Sequence, residues 1–298
     1  MLYFAREVRR VHFVRAKGIL SAQNGMNIYR GCQHGCIYCD SRSRCYGFTH
    51  DFEDIEVKEN APELLERAMR SKRQRCMIST GSMSDPYMPL EKELGLTRRC
   101  LELIRRYEFG ASVITKSDLI LRDLELWEDI SRRTKAVVQM TLTTFDEELC
   151  AVVEPHVAST HRRCEVLKTL REHGIPTVVW LSPLLPFIND TEENLDGILR
   201  CCADAGVKGI VCFGMGLTLR DGNREYFYAA LDRHFPGLKE RYIRTYGGSY
   251  NVASPREAAL WRRFDDFCGR YGIMSRPEEC FAYIRQFEDG NQQMTLAL

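Results

Sequence analysis

Residues 29–40 read YRGCQHGCIYCD and contain three cysteines, Cys32, Cys36 and Cys39, in a C-x3-C-x2-C spacing. Three thiolates at this spacing can hold three corners of a cubic iron–sulfur cluster. The fourth iron is then left without a protein ligand, so a small molecule can bind there. This stretch therefore predicts a cluster whose open iron takes part in chemistry.

The composition is that of an ordinary globular protein. The 298 residues are 44% hydrophobic and 28% charged, with a formal net charge of +1. A charge so close to zero gives no general attraction to nucleic acid or to an anionic membrane. Apolar stretches such as Val178–Leu185 are too short to cross a bilayer, and the N-terminus lacks a signal-peptide pattern. We therefore expect a cytoplasmic protein that does not enter the membrane.

Thirteen cysteines are many for a chain of this length. A secreted mini-protein would use them in disulfides, but this chain is long and shows no secretion signal. The odd number also argues against a complete disulfide framework. We expect some cysteines on a metal and the rest buried as small hydrophobic side chains.

Short apolar runs alternate with amphipathic helical patterns beyond the cysteine loop. A first strand at Met26–Tyr29 and five later runs are typical of buried parallel strands, being rich in Val, Ile, Met and Thr. The five runs are Cys76–Thr80, Ser112–Thr115, Ala136–Leu142, Thr177–Leu181 and Gly209–Phe213. The helical patterns between them are Thr97–Glu108, Arg122–Arg133, Thr160–His173 and Thr191–Ala205. About six βα units predict an α/β fold with a parallel sheet, either open or curved into a partial barrel.

The predicted organisation has three parts. An N-terminal extension covers residues 1–25, the βα region covers residues 26–220, and a helical region over residues 221–298 packs on it. Whichever form the sheet takes, ligands are expected beyond the carboxyl ends of the strands. The cysteine loop, the stretch 81–87 and Lys116 each follow a predicted strand, so we expect them at one edge.

Two other kinds of protein could use the cysteine loop. Cys36 and Cys39 form half of a zinc site, which would favour a zinc-stabilised, non-catalytic nucleic-acid-binding protein. Further zinc ligands could come from Cys32, Cys45, His34 or His50, although the chain has no second C-x2-C pair. Alternatively, Cys45 could be the fourth ligand of a cluster that only transfers electrons.

The whole chain resembles the radical S-adenosylmethionine superfamily, and most closely the subgroup related to spore photoproduct lyase. Beyond the cysteines, the likeness spans roughly residues 20–250. It rests on Tyr29-Arg30-Gly31-Cys32, Ser84-Asp85-Pro86-Tyr87, Leu96-Thr97-Arg98, Ile114-Thr115-Lys116-Ser117, Glu154-Pro155 with Arg162-Arg163, and Phe235-Pro236-Gly237-Leu238. The resemblance implies a partial (β/α)6 TIM-like barrel, a [4Fe-4S] cluster on the three cysteines and S-adenosylmethionine on the open iron. It further implies reductive cleavage of S-adenosylmethionine to a radical that abstracts hydrogen from a substrate.

The resemblance also suggests residues that bind the cosubstrate. Lys116 matches a lysine that meets the cosubstrate carboxylate, and Ser117 follows it. Tyr38, beside a cluster ligand, can offer its ring face to a bound heterocycle. Thr141 falls where the lyase has a serine, and Arg163 resembles an arginine that contacts the cosubstrate, with Arg162 as the competing candidate. The alternatives are a solvated Lys116 and a threonine that is simply common on strands.

Three residues after the second main strand are candidates for catalysis. Asp85 and Tyr87 are expected to face the substrate, where they could bind it or relay a hydrogen atom. The alternative is a turn in which Asp85 caps its own backbone. Ser82 stands where the lyase has its hydrogen-donating cysteine, and a hydroxyl is a far poorer hydrogen-atom donor than a thiol. The DNA-lesion substrate that the resemblance implies is therefore not carried over with the same mechanism.

The expected partners follow from this chemistry. A radical enzyme of this kind needs an electron donor such as flavodoxin or ferredoxin, and we expect the chain to be a monomer. The substrate is unidentified, with a DNA lesion as the nearest named candidate. Paired arginines such as Arg98-Arg99 and Arg132-Arg133 have acidic neighbours on helices, which favours a solvated surface over a DNA-binding face.

Overall fold

A six-stranded parallel sheet forms the centre of the protein, whose residues 10–289 are described by a computed structural model. Its strands, in spatial order, are β2 (Gly25–Met26), β5 (Met77–Thr80), β6 (Gly110–Thr115), β7 (Ala136–Thr141), β8 (Thr177–Trp180) and β9 (Gly209–Val211). Every neighbouring pair is parallel, and β2 and β9 stand at opposite edges without pairing. The sheet is thus an incomplete barrel, which confirms the predicted fold class.

Helices cover the outer face of this sheet. They are α1 (Ala61–Ser71), α3 (Leu96–Arg106), α4 (Leu124–Arg133), α6 (Thr160–Glu172), α7 (Glu192–Ala205) and α10 (Glu257–Tyr271). Alternate strand residues such as Val113, Val138 and Ile210 pack into the same core as helix residues such as Leu101 and Leu167. Alternate residues of each strand point to the same face of the sheet, and this face packs against the apolar stripe of each helix.

The last helix covers part of the inner face of the sheet, beginning near the amino ends of the strands. Met77, Val137 and Val178 form a separate apolar cluster with Cys280 and Ile284 of α11 (Pro277–Arg285). These strand residues lie early in their strands. At β8 and β9, however, α11 reaches the strand ends, since Val211 joins this cluster and Trp180 contacts Phe281, so the inner face that remains for other contacts lies near the carboxyl ends of β5, β6 and β7.

The rest of the C-terminal region supports the cysteine loop. Its elements are β10 (Gly216–Thr218), α8 (Asn223–His234), α9 (Leu238–Tyr246) and β11 (Asn251–Ala253), with β10 and β11 antiparallel. Cys36 and Tyr38 share an apolar cluster with Phe227 of α8 and Tyr242 of α9. The expected packing of this region on the barrel thus includes the loop that carries the cysteines.

The start of the chain differs from the expectation of a single first strand. Only Gly25 and Met26 pair with the main sheet, whereas β3 (Tyr29–Arg30) pairs with β4 (Ile55–Lys58). β1 (Val11–Val14) lies parallel to β4 on its other side, so the three form a second small sheet. Part of the predicted extension is therefore a strand. Residues 1–9 and 290–298, in the predicted terminal parts, lie outside the described residues.

A buried carboxylate explains one helix start that was predicted differently. The predicted helical pattern begins at Thr97, but α3 begins at Leu96 after Gly95, and the hydroxyl of Thr97 donates to the Pro86 carbonyl at 2.7 Å. The cap is Glu91 of the short α2 (Glu91–Leu94), which accepts from the Thr97 backbone N–H at 3.0 Å. Glu91 also accepts from Tyr29 and from Arg122 at 2.8 Å. Two motifs behind the family resemblance thus converge on a structural carboxylate.

One pair of cysteines departs from the expectation of free, buried thiols. Cys164 of α6 and Cys201 of α7 form a disulfide, with Cα atoms 6.0 Å apart. Sequence spacing gave no sign of it, because the two positions meet only when α6 and α7 pack side by side.

Within residues 10–289, no helix is both long and apolar enough to cross a membrane. The remaining short helix is α5 (Glu147–Val153).

Candidate active site

The cysteine loop is anchored to the chain that follows β7. The Ile37 N–H donates to the Val153 carbonyl at 3.0 Å, and the His156 N–H donates to the His34 carbonyl at 3.2 Å. Gly31 has φ of +86°, and a Cβ there would lie 2.4 Å from the Phe52 carbonyl oxygen. Only glycine fits this position, which directs the loop toward Cys32.

The three cysteines of the loop are free and act on one another electrostatically. Cys32, Cys36 and Cys39 are all free. Burial, then the charges of Asp85 and Cys39, raises the pKa of Cys32 to about 12. Burial also raises the pKa of Cys36, opposed by Lys116 and reinforced by Glu154 and the other two thiols. Each sulfur therefore lies within electrostatic reach of the others, and three such thiols fit the soft-ligand demand of a [4Fe-4S] cluster.

Asp85 joins the cysteine loop to the ends of two strands. One carboxylate oxygen accepts from His34 Nε2 at 2.8 Å and from the Lys116 N–H at 2.7 Å. The other accepts from the Thr115 hydroxyl and from the Tyr87 N–H, both at 2.8 Å. Burial acts to raise the pKa of Asp85, but His34 and these donors hold it below its usual value. The structure thus shows the self-capping turn considered as the alternative, and Asp85 acts as a positioning residue.

Replacing Asp85 by asparagine is expected to destabilise the protein strongly. Whichever way the amide is turned, its NH2 group faces the N–H of Lys116 or of Tyr87, so at least one buried donor loses its acceptor at a cost of about 1–3 kcal/mol. Urea unfolding of the cluster-free protein measures this loss. The control is Asp118→Asn, at a half-exposed carboxylate two residues beyond Lys116. Equal midpoints for the two variants would contradict the role given to Asp85.

A buried ion pair lies beneath the cysteine loop. Arg163 donates to Glu154 Oε2 at 2.7 Å and to the Thr141 carbonyl at 2.7 Å, and both charged side chains are 0% exposed. The other Glu154 oxygen accepts from the Tyr38 hydroxyl. The Arg163 side chain has no exposed surface in this structure, and its expected contact with the cosubstrate stays a prediction. Glu154, which the sequence marked only as part of a motif, links the ion pair to the loop.

Lys116 is a cation that interacts electrostatically with the cysteine loop. Its ammonium lies 5.8 Å from the centre of the Tyr38 ring. Burial acts to lower the pKa of Lys116, but the charges of Cys36, Glu154, Cys39 and Asp85 raise it to about 12. The side chain is therefore cationic at neutral pH and sits among the groups that would surround a ligand of the cluster.

The other candidate residues are scattered. Ser117 is buried and its hydroxyl accepts from the Leu119 N–H at 3.2 Å, which caps the turn that follows. Thr141 is buried at the end of β7. Ser82 is exposed. Tyr87 is 0% exposed, and its hydroxyl donates to Asp123 at 3.1 Å, while its expected place facing the substrate stays a prediction.

A row of polar groups crosses the inner face of the sheet above α11, and the sequence analysis missed it. The Ser112 hydroxyl donates to Ser79 at 2.9 Å, and Trp180 Nε1 donates to Gln139 Oε1 at 2.8 Å. Gln139 Nε2 approaches Ser112 at 3.5 Å and completes the row. Phe213, 62% exposed, makes an edge contact with Trp180 at the end of this row. The period of two along β6 and β7 could have revealed it, since Ser112 and Gln139 interrupt apolar runs.

Comparisons with known proteins agree with this architecture. The family model described as the radical SAM superfamily matches residues 26–201. Uncharacterized protein MJ0683 of Methanocaldococcus jannaschii is 37% identical over 177 residues, covering 58% of this chain and 65% of that protein. This chain thus spans slightly under two thirds of the archaeal protein. Uncharacterized protein Rv2578c of Mycobacterium tuberculosis is 31% identical over 244 residues, covering 78% of this chain and 70% of that protein.

Solved structures share the fold at low sequence identity. Spore photoproduct lyase complexed with dinucleoside spore photoproduct superposes with a TM-score of 0.62 at 12% identity, covering 89% of this chain and 81% of that one. A variant of the lyase with bound AdoMet and the same dinucleoside gives a TM-score of 0.58 at 13% identity, covering 83% of this chain and 74% of that one. The family match covers more than half of the chain and includes the three free cysteines of the loop, so the protein belongs to the radical SAM superfamily, whose cofactors are a [4Fe-4S] cluster and S-adenosylmethionine.

Proposed function

We propose that this protein cleaves S-adenosylmethionine and uses the product to abstract hydrogen from a substrate held at the carboxyl edge of the sheet. The observation that carries the proposal is a loop with three free cysteines, Cys32, Cys36 and Cys39, whose Tyr38 ring lies 5.8 Å from the cationic Lys116. When bound, the cluster supplies the electron that cleaves S-adenosylmethionine to the 5′-deoxyadenosyl radical. The alternative of a zinc-stabilised nucleic-acid-binding protein gains no support from the family match, which is to the radical SAM superfamily.

The residues of the chain have distinct tasks in this proposal. Cys32, Cys36 and Cys39 hold the cluster, and Lys116 pairs with the cosubstrate carboxylate through a charge-assisted hydrogen bond. Tyr38 stays fixed by Glu154 with its ring toward Lys116. The buried Arg163 acts through Glu154, and Asp85 fixes the backbone of Lys116.

The upper inner face of the sheet is the proposed substrate site. The polar row from Ser79 to Trp180 supplies donors and acceptors, and the exposed ring of Phe213 supplies an apolar surface. A DNA lesion, the substrate implied by the likeness to spore photoproduct lyase, contains planar rings and polar edges that such a surface can hold. Ser82 is exposed and offers a hydroxyl instead of a thiol, so a lyase reaction here needs another hydrogen source. A catalytic part for Ser82, Asp85 or Tyr87 stays a prediction.

The partners complete the proposal. Enzymes of this superfamily require an external reductant, for which we propose flavodoxin or ferredoxin. A monomeric state and a cytoplasmic location are likewise predictions, the latter resting on the need of the cluster thiols for a reducing compartment.

Lys116→Met is expected to weaken S-adenosylmethionine binding by roughly 10–100-fold, the loss associated with one hydrogen bond to a charged group. Anaerobically reconstituted protein with equal iron content is titrated with the cosubstrate, then reduced with dithionite, and 5′-deoxyadenosine is quantified. The control is Lys168→Met on the exposed side of α6. No 5′-deoxyadenosine from fully loaded wild type would refute the proposed function, whereas equal affinity for both variants would refute only the role of Lys116.

The DNA-lesion substrate is tested with the same preparation. Oligonucleotides that contain spore photoproduct are compared with undamaged strands of the same sequence. Restored thymines in the lesion strand, formed only with reduced protein and S-adenosylmethionine, would support this substrate. A lesion strand recovered unchanged from protein that does form 5′-deoxyadenosine would contradict it and leave the radical chemistry intact.

A further inference from the structure

A cluster of metal-ligand side chains lies in the small sheet, apart from the cysteine loop. His12 of β1 and Glu56 of β4 are register partners, and His50 lies in the loop that leads into β4. One ligand atom from each of the three residues lies within 4.8 Å of the other two. Two imidazoles and a carboxylate are a ligand set that zinc uses in proteins.

His12 is oriented as a metal ligand requires. Its Nδ1 lies 2.9 Å from Asp54 Oδ1. A carboxylate at this nitrogen holds the proton on Nδ1, and therefore leaves the lone pair on Nε2. Asp54 thus stands where a second-layer residue orients a metal-binding histidine.

His50 shows the same arrangement with a carbonyl in place of the carboxylate. Its Nδ1 lies 2.9 Å from the Asp51 carbonyl oxygen, so Nε2 again carries the lone pair. Nε2 is buried and has no hydrogen-bond partner among the described residues. It lies 4.0 Å from Glu56 Oε2, too far for a hydrogen bond. A buried nitrogen without a partner calls for a missing ligand such as a metal ion.

The surroundings keep the two histidines in place. The ring centroids of His12 and His50 are 4.7 Å apart, and those of Phe48 and His50 are 5.5 Å apart, both in edge-to-face contact. The positive charges near this site belong to Lys58 and Arg30. Arg30 is held over the Phe48 ring at 4.7 Å and donates to the Tyr46 carbonyl at 2.8 Å. The Arg30 guanidinium is therefore held by the loop that carries His50.

We propose that His12, His50 and Glu56 bind a zinc ion whose fourth ligand is water. The histidines use their Nε2 atoms, while Asp54 and the Asp51 carbonyl hold the opposite nitrogens. The ion joins β1 to the loop before β4, the same loop whose Phe52 carbonyl packs against Gly31 beside the cysteines. Its role is to fix this small sheet against the cluster loop, and the three cysteines take no part in binding it.

Zinc content of the full chain tests the proposal. Protein with a reconstituted cluster is mixed with a small excess of zinc sulfate and desalted, and metals are measured by mass spectrometry. We expect about one zinc per chain in the wild type, held by the three protein ligands with water in the fourth position. The His12→Gln/His50→Gln variant should retain almost none, whereas the exposed pair changed in His161→Gln/His173→Gln should retain the ion. Equal zinc in the wild type and the His12→Gln/His50→Gln variant overturns the proposal.

Cobalt distinguishes histidine from cysteine ligation. In the Cys32→Ala/Cys36→Ala/Cys39→Ala variant, bound Co²⁺ should show ligand-field absorption without thiolate charge-transfer bands. Zinc should also raise the unfolding temperature of the wild type and not that of the His12→Gln/His50→Gln variant, because only the native site binds it. If the triple variant fails to fold, the zinc contents and unfolding temperatures of the wild type and of the His12→Gln/His50→Gln variant still test the proposal. Cobalt or zinc bound only when the three cysteines are present would refute the site.

Discussion

Cys36→Ala should leave the protein without iron–sulfur absorption after reconstitution and without detectable 5′-deoxyadenosine. Cys36 is the most enclosed of the three cysteines, packed with Tyr38 and Phe227 and flanked by Lys116. An alanine leaves two thiolates, which cannot hold three corners of a cube. Visible absorption, iron content and product formation measure the loss, which we expect to be complete.

The matched control for this variant is Cys45→Ala, six residues beyond the last cysteine of the motif. Cys45 is exposed, and its sulfur accepts from Arg220 at 3.4 Å on the side of the C-terminal region. We expect Cys45→Ala to keep both the cluster and the cleavage of S-adenosylmethionine. Loss of the cluster in Cys45→Ala would instead indicate four protein ligands and a protein that only transfers electrons.

The main sheet was predictable because its strands are buried on both faces. Such strands read as apolar runs, and the runs ending at Thr80 and Thr115 are strands with the same ends in the structure. The first strand was misjudged because only two of its residues pair with the sheet, and Tyr29 turns away to pair with Val57. A run of this length does not say which partner it will find, since register depends on distant residues.

The candidate site was predictable where chemistry depends on local spacing. The cysteine loop needs no tertiary information, because its three ligands lie within eight residues. The contacts of Tyr87 and Arg163 could not be predicted, because a motif does not say which way a side chain points. Tyr87 enters the core against Trp127, and Arg163 turns beneath the loop to Glu154. Both outcomes depend on helices that a linear pattern cannot position.

Arg163→Met is expected to lower the free energy of unfolding by about 3–5 kcal/mol, the usual cost of leaving one charge of a buried pair unpaired. Glu154 keeps the Tyr38 hydroxyl as a donor, and Lys116 is the remaining cation that lowers its pKa. Arg162→Met is the control, since Arg162 is half-exposed on the first turn of the same helix. Urea unfolding of the cluster-free proteins gives the difference, and similar midpoints for the two variants would refute the buried pair as a stabilising element.

The pH dependence of Arg163→Met identifies the charge as the cause. In the wild type, burial acts to raise the pKa of Glu154, but Arg163 and Lys116 hold it below its usual value. The carboxylate therefore stabilises the fold above the ordinary glutamate pKa of about 4.3, and this contribution is lost as the pH falls through the lowered value. Without Arg163 the pKa of Glu154 rises. Protonation of Glu154 then removes the unpaired buried charge of the variant as the pH falls. The difference in the free energy of unfolding between the wild type and Arg163→Met should therefore narrow between neutral pH and about pH 4. Glu154→Gln added to Arg163→Met should restore part of the lost free energy of unfolding at pH 7. A gap that stays constant with pH would mean that the loss comes from the packing of Arg163 and not from its charge.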